Sequence, residues 1–158
     1  MADRWSAVPE RYCSEGKIIT QIVCSAIEPK TIREGSKMAL SDTEQTGKIL
    51  LHHWQAFGAG DVEAIMADYA DDAVLFTPKG TLKGSAQIRS LFAKIFTTMF
   101  PADKTSLNLA KQAVEGEIAY ILWSGYSPFY NAPFATDTFV MRNGKIVAQT
   151  FAAQLEAK

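Results

Sequence analysis

Residues 60–80 read GDVEAIMADYADDAVLFTPKG, and this stretch decides the fold. Asp61 has a short carboxylate that can accept from the free amides of a helix start, so it caps a short helix over Val62–Tyr69. Ile65 and Met66 form that helix's inward face. Ala73–Thr77 is a short strand, closed by Pro78 and a turn at Lys79-Gly80. Upstream, Leu50, Leu51, Trp54 and Phe57 recur at spacings of three and four, which predicts a helix from Thr43 to Gly58. Ser41 with Glu44 three residues later is a capping box for its first turn, and Gly58 and Gly60 end it.

Downstream, Gly84-Ser85 opens a third helix to about Phe100, with Ile88, Leu91, Phe92, Ile95 and Phe96 apolar, and Pro101 stops it. Four strands follow, over Ser106–Val114, Ile118–Tyr126, Phe134–Met141 and Lys145–Ala153. Glu115-Gly116 turns between the first two, and Asn143-Gly144 is a strong two-residue hairpin signal. Three helices followed by a strand meander make an α+β domain, helices on one face of a curved sheet.

The first forty residues show neither period and are punctuated by Pro9, Gly16, Pro29 and Gly35. Residues 1–40 are therefore expected to be an N-terminal extension, loosely ordered or upstream of a natural start at Met38, with the domain over 41–158. The apolar patch Ile18–Ile27 is too short for a signal-peptide core and lacks a small-residue cleavage site.

The chain has 158 residues, 47% hydrophobic and 21% charged, with a net charge of −1. That is enough for one domain with a real core. No basic run points to nucleic acid or an anionic membrane, and no apolar stretch reaches the length of a bilayer span. The two cysteines, Cys13 and Cys24, form no CxxC or Cys–His set. Neither a disulfide framework nor a metal site is expected, and the cytoplasm is the expected compartment. Nucleophile elbows, dinucleotide fingerprints and phosphate loops are absent from the sequence.

The strings Gly60–Ile65, Tyr69–Val74 with Pro78, Gly80-x-x-x-Gly84 before a helix, and Asp137-x-Phe139 running into Arg142–Ile146 resemble the nuclear transport factor 2-like superfamily. Its members include ketosteroid isomerase-like and SnoaL-like polyketide cyclase proteins. The resemblance covers about Thr43 to Ala153, and its order and spacing mark the fold rather than an activity. It implies a cystatin-like cone, three helices packed on a curved, mostly antiparallel sheet, with a conical cavity between. It also implies that the position of the isomerase base holds Thr77, which cannot take up a proton near neutral pH. The positions of the two oxyanion donors hold His53 and Asp137. In SnoaL-like cyclases an acidic residue on these strands is the acid/base of a cofactor-free ring closure, and Asp137 is the matching carboxylate.

His53 lies at the edge of the apolar face of its helix, where a histidine can be structural or functional; His52 points away and is expected to be solvated. Asp137, in a strand with Phe134 and Phe139, must be paired, hydrogen-bonded or protonated if buried. The expected catalytic residues are His53 and Asp137. Asp61, Asp71, Asp72, Glu115 and Glu117 are expected to be solvated. If Asp137 faces inward, strand alternation adds Leu122, Ser124, Tyr126, Gln149 and Phe151 to the pocket, with Trp54, Phe57, Leu91, Phe92 and Ile95 from the helices and Thr77 from the first strand. That lining suits an apolar ring compound with one or two oxygens, unless the same residues fill a closed core.

Trp123, of opposite parity, is expected on the outer sheet face, through which the resemblance implies a homodimer. The segment Ser127–Pro133 is expected to be a long loop that lids the cavity or joins the dimer contact. Three functions remain in play: a cofactor-independent isomerase, cyclase or dehydratase acting on an enolisable carbonyl compound, a non-catalytic binder of a hydrophobic metabolite, and a dimeric interaction module.

Overall fold

The computed structural model describes residues 41–158; the extension expected over 1–40, with both cysteines, lies outside the described residues. Three helices come first, interrupted by a hairpin: α1 (Asp42–Ala59), α2 (Val62–Asp68), β1 (Tyr69–Thr77), β2 (Gly80–Lys83) and α3 (Ser85–Lys94). A π-helical turn (Ile95–Met99) and a 3-10 turn (Ala102–Lys104) lead into β3 (Ser106–Glu115), β4 (Ile118–Tyr126), β5 (Tyr130–Arg142) and β6 (Lys145–Ala157). The six strands form one curved, open sheet in the order β2-β1-β6-β5-β4-β3. Only the β1–β6 pairing is parallel. The fold is thus the α+β cone that the sequence implies.

The local signals act as written. Ser41 Oγ accepts from the amide of Glu44 at 3.3 Å, and the Glu44 carboxylate accepts from the Ser41 amide at 3.0 Å. Gly60 ends α1 in the left-handed region that a residue without Cβ enters freely. Asp61 Oδ1 accepts from the Ala64 amide at 2.9 Å and starts α2. Pro78-Lys79 forms the β1–β2 turn, where Thr77 Oγ1 donates to the Gly80 carbonyl at 2.9 Å and accepts from the Lys79 amide at 3.2 Å.

The third helix differs from expectation after Lys94. The amide of Phe100 donates to the carbonyl of Ile95, five residues back, at 2.8 Å. Thr97 and Thr98 bond back to the carbonyls of Ala93 and Lys94 at 2.8 and 2.7 Å. Such back-bonding competes with the regular ladder and widens the turn, and Pro101, with no N–H, ends it.

The core lies between the helices and the inner sheet face. Ile65, Ala73, Ile88, Ala119, Ala135 and Ile146 are wholly buried, with Leu75, Phe139 and Met141 nearly so. Glu63 and Arg89 pair across α2 and α3. Among the described residues no helix is long and apolar enough to cross a membrane.

Candidate functional site

The inner face of the cone is open rather than filled. A cavity of about 560 Å³ is lined by Trp54 and Phe57 from α1, Leu91 and Phe92 from α3, and Ile95, Met99 and Phe100 from the widened turn. The sheet contributes Leu75, Ile121, Trp123, Phe139 and Phe151. Its rim includes Pro78, Lys79, Thr81 and Leu155. The volume suits a ligand of a few fused rings, and nearly all the wall is apolar. Edge-to-face contacts of Phe57 with Phe92 and of Trp54 with Trp123, and the tilted pair of Phe57 with Phe96, stiffen it.

Apart from Thr77, Lys79 and Thr81 at the β1–β2 turn, the polar side chains of the wall are His53, Asp137 and Gln149. Asp137 is 5% exposed. Its Oδ2 accepts from Trp123 Nε1 at 2.7 Å, and its Oδ1 accepts from Gln149 Nε2 at 2.7 Å. Gln149 in turn accepts from the buried Tyr69 hydroxyl. Burial pushes the Asp137 carboxyl from its ordinary 3.8 up to about 6; the bonds from Trp123 and Gln149, and the nearby His53 ring, pull it back only in part. Burial also raises the Tyr69 phenol well above its ordinary value, and the charges of Asp137 and Asp68 add to this.

His53 is buried and lines the same cavity. Its ring makes edge contacts with Tyr69, Phe92 and Phe139 at centroid distances of 5.6, 6.0 and 5.2 Å. Among the described residues its Nδ1 has no hydrogen-bond partner, and it stands 3.5 Å from Asp68 Oδ2. His53 and Asp137 thus share a cavity but not a hydrogen bond; each is held by a set of its own. The cavity carries one buried carboxyl and one imidazole on an otherwise apolar wall.

Of the residues expected here, His53, Asp137, Trp54, Phe57, Thr77, Leu91, Phe92, Ile95, Gln149 and Phe151 line the cavity. The Thr77 hydroxyl, however, is engaged in the β1–β2 turn. Leu122, Ser124 and Tyr126 do not belong to the lining: the first two are half-buried on the outer face and Tyr126 is 45% exposed. Trp123, expected on the outer face, points inward. The cause is a β-bulge. Next to the loop, Tyr126 pairs with Asn131, and that register carried on would set Tyr120 opposite Asp137. The pairing slips between Trp123 and Gly125, so Ile121 faces Asp137 instead. A one-residue slip exchanges the two faces of a strand.

The loop expected over Ser127–Pro133 is also shorter, because β5 already starts at Tyr130. Ser127 is buried and donates to the Met99 carbonyl at 2.6 Å while accepting from the Tyr130 amide at 3.0 Å. No residue of 127–133 lines the cavity. Phe134, taken as a mark of burial, is 51% exposed. Reading the sequence missed Tyr69, Trp123 and Asp68. Pro133 was the available signal for the bulge, which lies on β5 between Ala132 and Ala135, since a proline within a sheet is confined to edges and bulges.

Comparison with known proteins fits this architecture. A structure described as an NTF-2 like protein of unknown function from Burkholderia xenovorans LB400 is 25% identical, with 70% of this chain and 84% of that chain covered and a TM-score of 0.59. A candidate ketosteroid isomerase from Kribbella flavida DSM 17836 is 18% identical, with 76% and 84% covered and a TM-score of 0.62. A SnoaL-like protein of unknown function from Burkholderia thailandensis E264 is 16% identical, with 70% and 95% covered and a TM-score of 0.58. No curated protein matches the chain. The SnoaL-like domain family matches residues 50–149, well over half of the sequence, and the chain belongs to that family.

Proposed function

We propose that this protein binds an apolar, ring-sized carbonyl compound in the cavity and moves a proton between Asp137 and the carbon beside that carbonyl, without a cofactor. The observation that carries the reading is one carboxyl sealed among aromatic rings and pushed up to about 6. A base serves best when its pKa lies just below the working pH, ionised yet still basic. Trp123 and Gln149 fix its two oxygens. His53, on the same wall, is the donor to the oxygen that becomes negative as the proton leaves carbon. The likeness to a candidate ketosteroid isomerase supports the reaction class, with the base on β5 rather than at Thr77.

A second reading, binding without turnover, is favoured by the lack of a hydrogen bond between His53 and Asp137 and by the apolar wall. The interaction-module reading loses its main support, because Trp123 points into the cavity. A homodimer through the outer sheet face rests on the resemblance, and a cytoplasmic location on the cysteine pattern of the sequence; sedimentation of the full chain tests the dimer.

The test uses 2-tetralone, an enolisable two-ring ketone, in D2O. Loss of its α-proton signal by NMR reports catalysed exchange, and a raised melting temperature reports binding. Exchange by the wild type that Asp137→Asn removes, with the thermal shift kept, supports catalysis. A thermal shift without exchange supports the binder. Exchange that survives Asp137→Asn overturns the assignment of the base.

A further inference from the structure

Asp68 ends α2 and is 8% exposed, so its charge needs partners. It has two, both imidazoles, and both from α1. Both Asp68 oxygens accept from His52 Nδ1, Oδ1 at 2.8 Å and Oδ2 at 3.0 Å, and Oδ2 also lies 3.5 Å from His53 Nδ1. Adjacent residues on a helix point about 100° apart, and the two rings accordingly meet different surroundings. The His52 side chain is 53% exposed. The His53 ring lies in the cavity wall, its Nδ1 3.5 Å from Asp68 Oδ2 without a hydrogen bond. One buried carboxylate therefore links a ring in bulk water to a ring in the cavity. Among the described residues these groups do not make a metal-binding set.

We propose that His53, Asp68 and His52 form a proton path between the cavity and solvent. Asp68 and His52 are positioning and relay residues, with no contact to the substrate. The proposal rests on the reading of Asp137 as the base. A ligand that fills the cavity shuts out water, so the proton placed on the substrate oxygen needs a route that does not use the mouth.

The transfers balance. Asp137 takes the proton from carbon, and His53 gives its Nε2 proton to the enolate oxygen. His53 Nδ1 takes a proton from Asp68 as Asp68 takes one from His52 Nδ1, and His52 Nε2 takes one from a water, leaving hydroxide in bulk solvent. The neutral enol leaves the cavity and takes its new hydrogen at carbon from solvent as it returns to the ketone, losing its O–H proton to solvent, while Asp137 gives the abstracted proton to solvent and so neutralises the hydroxide. In the emptied cavity His53 Nε2 takes a proton from water, and each transfer along the path reverses. Both rings regain their starting tautomers, and no net proton is consumed.

The ionisable groups facing His53 are Asp68 from α2, Tyr69 from β1 and Asp137 from β5; α3 offers the apolar Phe92 ring. Tyr69 already donates to Gln149, and among the described residues the only carboxylate within 4 Å of the His53 ring nitrogen is Asp68.

His52→Ala is the decisive variant, because the removed ring is largely exposed. Its expected result is α-proton exchange of 2-tetralone slowed by at least about tenfold, with binding unchanged by thermal shift and the rate restored by added imidazole. Unchanged exchange in His52→Ala overturns the path. So does a loss that imidazole does not restore, since that is a structural effect. Imidazole nitrogen NMR of the ligand-free protein reads the same contacts without any reaction. The rings are expected as the tautomers the path needs, Nδ1–H at His52 and Nε2–H at His53, and Asp68→Asn is expected to shift the signals of both. Other tautomers, or a shift at His52 alone, overturn the path. If both signals respond and the wild type exchanges nothing, the contacts of the path stand and the catalytic reading of Asp137 falls.

Discussion

Replacing Asp137 by asparagine tests the site through stability alone. The wild-type carboxyl is held at about 6 in the folded protein against an ordinary 3.8, so the native state binds this proton more tightly than the unfolded chain. The sign follows: stability contributed by this residue falls as pH rises from about 4 to about 6, and stays low above that. A difference of about two pH units at 1.36 kcal/mol each makes the ionised, buried carboxylate cost about 3 kcal/mol. Some 2 kcal/mol of this develops between about pH 4.5 and about pH 7.5.

Asparagine carries no charge, but it does not fit the site perfectly. Trp123 and Gln149 both donate to Asp137, and an amide has one oxygen to receive them. That mismatch costs about 1–3 kcal/mol, yet it does not depend on pH. The change in the gap between the two proteins from pH 4.5 to 7.5 therefore isolates the carboxylate. Thermal unfolding at both pH values is expected to move the gap by roughly 6–8 °C in favour of the asparagine variant at the higher pH. A gap that stays constant, or moves the other way, refutes the claim that Asp137 is ionised at a cost in an apolar wall.

Trp123→Phe removes the donor to Asp137 Oδ2 while keeping a ring in the wall. Carboxyl 13C NMR is expected to show the Asp137 pKa moved further up, and denaturant unfolding a loss of about 1–3 kcal/mol at pH 7.5. In Gly125→Ala the new Cβ falls 3.0 Å from the Trp123 ring and 3.1 Å from Leu107. Overpacking is expected to cost about 1–3 kcal/mol by urea unfolding, with altered Trp123 fluorescence as the ring shifts. Ile88→Ala empties a wholly buried position in α3 and is expected to lose about 2–5 kcal/mol in the same measurement.

How much of this was legible in the sequence depended on the range of the interaction. The α1 capping box, the Asp61 cap and the Asn143-Gly144 turn each lie within a few residues, and each was readable. Asn143 and Gly144 take φ of 52° and 75°, the left-handed pair that a two-residue hairpin turn needs. Strand β2 was missed because Gly80–Lys83 is four mostly exposed residues at the sheet edge, with no alternation to reveal it. Which face Trp123 takes was not readable from parity, because one bulge reverses it. The Asp68–His52 bond joins residues sixteen apart, and it exists only because α1 and α2 pack at one angle. No spacing rule within either helix contains that angle.

The separate fastening of His53 and Asp137 is the feature on which both readings of function turn. Had the two groups bonded directly, the carboxylate would have held the ring, and a ligand would have had to break that pair before meeting either. Instead Trp123 and Gln149 occupy the oxygens of Asp137, while Asp68 stands beside the sealed nitrogen of His53. Each group keeps its orientation when the space between is filled, which is what a proton donor and a proton acceptor acting on one ligand require. A protein built only to hold grease gains nothing from a buried carboxylate costing about 3 kcal/mol at neutral pH. The same fastening makes the alternative measurable: if Asp137→Asn stabilises the protein and leaves every ligand response unchanged, the carboxylate has no part in recognition or turnover, and the binder reading stands on the apolar wall alone.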